Sequence, residues 1–106
     1  MSDESQIEIP QSFVAVYVEP GRIKPSATRE VLAARYELCE DMANMLTEHA
    51  KSTLFELGVT EGDVLGRFLQ GLRTDDSVVT IKESAWVIRR LAELLDWPPV
   101  ESTEAS

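Results

Sequence analysis

The chain has 106 residues, 43% of them hydrophobic, and ten Lys plus Arg against nineteen Asp plus Glu give a formal charge of −9. That length closes one modest core with no room for a second catalytic lobe, and the apolar fraction argues for folding rather than disorder. The charge opposes attraction to phosphate backbones and anionic lipid surfaces, and a lone cysteine excludes an intrachain disulfide or a cysteine-based zinc cluster.

The first residues, "MSDESQIEIP", are acidic where a secretory or transit peptide is basic, and no apolar run approaches the roughly 18 residues that span a bilayer. A cytoplasmic protein without membrane contact is expected, which a single reduced cysteine also suits. Residues 1–6 and 98–106 are polar and acidic and are expected to be disordered tails around one helical domain at 7–97.

The first apolar segment, Phe13 to Val18, reads as a strand by propensity and as a short helix by position, with Pro10 suited to a helix start and Phe13, Val14, Tyr17 and Val18 on one face. No second strand-like segment exists to pair its backbone, which favours the helix. "EPGRIKPS" (19–26) then forms a turn carrying Arg22 and Lys24. From about Ser26 to Leu57 there is no Pro or Gly, and Gly58 supplies a stop, so one long helix is predicted, with a break allowed near Lys51 to Thr53.

Two capping signatures place the remaining helices. "TEGD" starts one at Thr60 that ends near Gly71 or Leu72, and "TIKE" at 80–83 is a capping box that starts another running to Pro98 and Pro99. The expected buried faces are Val64, Leu65, Phe68, Leu69 and Leu72 on the first, and Ile81, Ala85, Ile88, Leu91, Ala92 and Leu95 on the second. The fold class is all-α: a long central helix packed against a C-terminal helical hairpin, with an N-terminal short helix or strand.

The stretch "YELCEDMANMLTEHA" (36–50) concentrates the reactive side chains. Cys39 and His49 are ten positions apart, about 15 Å along a helix and roughly 80° around it, so within one chain they form no thiolate and imidazolium pair. Glu37, Glu40, Asp41, Asn44 and Glu48 make a carboxylate ridge without the Glu-x-x-His pairs of di-iron bundles, so no metal site is expected. The five glycines never assemble a phosphate-binding loop, and no nucleophile elbow accompanies His49. No catalytic residue, cofactor or metal is assigned, and a non-enzymatic role is expected.

Surface for another protein remains. Tyr17, Tyr36, Trp86, Trp97, Arg89 and Arg90 are of the types favoured at interfaces. The long helix would extend about 45 Å, more than the hairpin covers, so Leu38, Met42, Met45, Leu46 and Leu54 could face a second chain. A homodimer through this helix is the simplest closure; crossed antiparallel near Asn44, it would bring Cys39 of one protomer towards His49 of the other. The partner-binding candidates are Tyr36, Met42, Met45, Trp86, Arg89, Arg90 and Trp97, for a protein partner whose identity the sequence does not name. Two alternatives are a helix-turn-helix DNA reader, for which the helix at 60–72 offers only Arg67 and Gln70 outside its core stripe, and an acidic DNA mimic.

"ARYELCEDMA" (34–43) and "WVIRRLAELLDW" (86–97), with "IPQSF" near the start, resemble small uncharacterised proteobacterial proteins often labelled "ATPase with chaperone activity". The resemblance spans roughly residues 7 to 97 and rests on helix patterns. It implies a chaperone-like or adaptor role and assigns no residue a function.

Overall fold

The computed structural model describes residues 8–74 and 76–98; the expected tails at 1–6 and 98–106 lie outside these apart from Pro98. Among the described residues all regular structure is helical: α1 (Gln11–Val14), continued by a 3₁₀ turn (Ala15–Tyr17), α2 (Arg29–Leu57), α3 (Glu61–Leu72) and α4 (Ile81–Leu95). The chain divides into two compact units, Met1–Leu38 and Cys39–Ser106, with the boundary inside α2.

In the first unit Pro10 stands at the N-cap of α1, its carbonyl accepting from the amides of Phe13 (3.0 Å) and Val14 (3.1 Å). The apolar segment is therefore helical, as its lack of a strand partner demanded. Phe13 is fully buried, its ring 5.6 Å from that of Tyr17 and 5.6 Å from that of Tyr36. Pro20 and Gly21 then turn the chain, Gly21 at φ 81°, a value that favours glycine; the Arg22 amide donates to Glu19 O at 3.0 Å. The Ser26 amide donates to Tyr17 O at 2.7 Å and closes a loop over residues 18–25. The long helix begins three residues later than Ser26, because Thr28 caps it: its hydroxyl accepts from the Val31 amide at 3.2 Å.

In the second unit the rest of α2 packs against α3 and α4 and continues without a break to Leu57. Gly58, at φ 66°, ends it, its amide donating to Leu54 O at 3.0 Å. Cys39, Ala43 and Ala50 are fully buried along its inner stripe. Ala50 joins Val64 and Leu65 of α3 and Ile88, Leu91 and Ala92 of α4 in one core cluster, against which Leu46, Leu54, Phe68, Leu69, Leu72, Leu95 and Trp97 pack.

The capping box forms in full at Thr80, while at Thr60 the hydroxyl caps α3 without a return bond to the Asp63 carboxylate. Thr60 accepts from the Asp63 amide at 3.1 Å, and Thr80 and Glu83 exchange bonds at 3.0 and 2.9 Å. Glu83 is fully buried in the box, and neighbouring Ser84 is buried too, its hydroxyl donating to Ile81 O at 2.6 Å. This corrects the expected inner face of α4: Ile81 and Ala85 are exposed, while Glu83, Ser84, Trp86 and Val87 are buried in the first two turns. The helix also stops before the prolines. Asp96 adopts a left-handed conformation (φ 61°), the Trp97 amide donates to Ala92 O at 2.8 Å and the Asp96 amide to Glu93 O at 3.1 Å, the pattern of a Schellman cap.

Candidate functional site

The sequence candidates separate into three environments. Trp86 is buried, and Trp97 is half-buried on the core cluster beneath the Schellman cap. Tyr36 is half-buried against Phe13, and Met42 is half-buried on α2. Arg89 is exposed, and Met45 is 72% exposed. Of the apolar residues offered to a second chain, Leu46 and Leu54 instead serve the protomer's own core.

Arg90 is structural. Its Nε and Nη2 donate to the two carboxylate oxygens of Glu40 at 2.9 and 3.0 Å, and Nη1 donates to Glu93 at 3.0 Å, clamping α4 to α2. The Glu40 hydrogen bonds hold the guanidinium pKa above its ordinary value. Asn44 completes this arrangement, donating to Glu40 O at 2.8 Å and to its carboxylate at 3.3 Å.

The two reactive residues of the 36–50 stretch are apart. Cys39 is fully buried, whereas His49 is exposed, its ring 5.0 Å from that of Phe68. A partner's His49 could reach Cys39 only if the protomer opened. No group of three or more His, Cys, Asp or Glu able to hold a metal ion occurs among the described residues.

Beside α2, Asn44, Thr47, Lys51 and Leu54 face Leu94, Leu95 and Trp97 across an open groove of ≈ 500 Å³. Its polar groups are engaged with their own helix: Thr47 donates to Asn44 O at 2.8 Å, and Lys51 pairs with Glu48 at 3.3 Å. The groove sets amide, hydroxyl and ammonium groups beside leucine and tryptophan, and its ionisable lining group, Lys51, is already paired with Glu48.

The most distinctive surface is the outer face of α2. Asp41, Met45, Glu48, Ser52, Phe55 and Glu56 are all exposed. At 100° and 1.5 Å per residue they fall within an arc of roughly 100° and a length of about 22 Å. Phe55 is 89% exposed and stands outside the set of side chains packed on the core cluster. It was not among the sequence candidates, although helical phase could have found it, since Phe55 lies about 140° around the helix from Ala50. Ile23, 93% exposed in the 18–25 loop, was likewise missed.

No helix among the described residues is long and apolar enough to cross a membrane. Comparison with known protein families, with curated proteins and with solved structures returns no match for this chain.

Proposed function

We propose that this protein is a non-enzymatic, acidic protein-binding module of the cytoplasm, an adaptor, regulator or chaperone-like factor, that works as a homodimer through the outer face of α2. The observation that carries this reading is the placement of Met45 and Phe55, large apolar side chains held in water on a helix whose inner face is already packed. An exposed aromatic on a rigid helix brings contact area at little cost in conformational entropy, and the flanking carboxylates confer orientation and solubility.

Three further features support it. Cys39 is out of reach of a substrate, the groove beside Trp97 holds no uncommitted acid or base, and residues 73–80 separate α3 from α4 by more than the three or four residues of a helix-turn-helix. The sequence resemblance to proteins labelled as chaperones points the same way.

The test replaces Met45 and Phe55 together with glutamate. Sedimentation across a concentration series and capture of partners from a host lysate are compared with the parent chain. Loss of both self-association and partner recovery, with the helical spectrum unchanged, is the expected result. Binding that survives the double substitution would refute the assignment of this face.

A further inference from the structure

The outer face of α2 poses a problem for a dimer that pairs this helix with its own copy. Asp41, Glu48 and Glu56 flank Met45 and Phe55, and within this arc no cation offsets them; Lys51, paired with Glu48, lies at its edge. Laid against its own copy, the stripe would set carboxylates against carboxylates, and like charges facing each other across an interface are strongly unfavourable. Helix-on-helix pairing is therefore the wrong geometry for this surface.

The complementary surface is elsewhere on the same chain. The loop at 18–25 carries Arg22, Ile23 and Lys24 in succession, all exposed, and neither cation is in an ion pair among the described residues. It is also pre-shaped: the Pro20–Gly21 turn, bonded at 3.0 Å, and the 2.7 Å closure from Ser26 to Tyr17 hold both ends. Ordering cost on docking is thereby reduced. An apolar tip between two cations matches an apolar stripe between carboxylates, and Ser52, small and next to Phe55 on the stripe, leaves space for one branched aliphatic side chain.

We infer that the Arg22–Ile23–Lys24 loop of one protomer docks on the Met45–Phe55 stripe of a second copy, Ile23 seating beside Phe55 with Arg22 and Lys24 against Glu48 and Glu56. The inference rests on the reading of the α2 outer face as the interaction surface and names its occupant. Each chain carries both a loop and a stripe, so docking of two copies on each other would satisfy both surfaces at once.

Charge reversal in two separate chains tests this. R22E/K24E reverses the loop and E48K/E56K reverses the stripe; the substituted side chains are exposed, and circular dichroism checks that both chains fold. In sedimentation, the parent chain self-associates, more weakly at high salt. Each reversed chain alone loses about tenfold or more in association constant, and an equimolar mixture of the two regains it as a heterodimer.

A parent chain that is monomeric at all concentrations, a loop-reversed chain that dimerises as the parent does, or a mixture that stays monomeric overturns the inference. So does loop-dependent co-sedimentation of a monomeric parent with phosphatidylserine vesicles, which would assign the loop to a lipid surface. M45E/F55E separates the two readings. If lysate partners are lost in that variant while loop reversal changes nothing, the face stands and its occupant is wrong; if M45E/F55E changes nothing, the face itself is wrong.

Discussion

The clamp between Arg90 and Glu40 ties α4 to α2 by charge, and a double-mutant cycle measures it. The perturbations are Arg90→Met, Glu40→Gln and both together, which keep side-chain length while removing the charges. The paired side chains retain 33% and 22% of their exposure, so the pair lies between a surface ion pair, about 0.2–1 kcal/mol, and a fully desolvated one. Its two-pronged, charge-assisted geometry at 2.9 and 3.0 Å raises it towards the upper end. A coupling of about 1–1.5 kcal/mol is expected, with Arg90→Met lowering Tm by roughly 4–8 °C for each kcal/mol it removes. Urea titrations of the four chains read the coupling directly. The raised pKa of Arg90 means that its share of the stability is fully present below the ordinary arginine pKa and is lost only as pH rises beyond it. The coupling is therefore the same at about pH 6 and about pH 9. A coupling below about 0.3 kcal/mol, or one that disappears between those two pH values, would refute the reasoning.

Thr80→Ala removes the acceptor for the Glu83 amide at the start of α4 and costs about 1–2 kcal/mol in chemical denaturation. Asp96→Gly relieves a left-handed aspartate and removes a negative charge from the end of α4, so it raises stability by about 0.5–1 kcal/mol, whereas Gly58→Ala lowers it by about 1 kcal/mol. Leu91→Ala, in the centre of the core, costs about 2–5 kcal/mol, while Phe55→Gln stays within about 0.5 kcal/mol of the parent because its ring contributes to no core. Cys39 is expected to react with a thiol reagent only at the rate at which the protein opens, and fast labelling of the native state would contradict its burial.

Local chemistry made the fold readable where it acts within a few residues. Thr60 and Thr80 with their acidic partners mark helix starts, Gly58 marks a stop, and an isolated strand candidate at 13–18 has no partner for its backbone. Each is a hydrogen-bonding requirement that the neighbouring sequence alone meets or fails to meet. The inner face of α4 was harder to read because apolar counting assigns Glu83 and Ser84 to solvent. Both are buried with their polar atoms bonded inside the first turn, which shifts the buried arc away from Ile81 and Ala85. The end of α4 shows the same limit: Asp96 takes the left-handed cap usually given to glycine, so the helix stops before Pro98.

The exposed apolar face of α2 was legible only in part, and the reason is that residue type does not report which side of a helix is covered. Tryptophan is enriched at interfaces, yet Trp86 is buried; phenylalanine reads as core, yet Phe55 stands in water. Phase decides between them once one buried position is known. With Ala43 and Ala50 fixed as inner residues, α2 has a single register, and Leu46 and Leu54 must turn to the core while Met45 and Phe55 turn out. The overlong helix suggested by sequence is thus covered along its inner side in the second unit. Met45 and Phe55 stand instead on its acidic outer side, the face we propose as the docking site of the Arg22–Ile23–Lys24 loop.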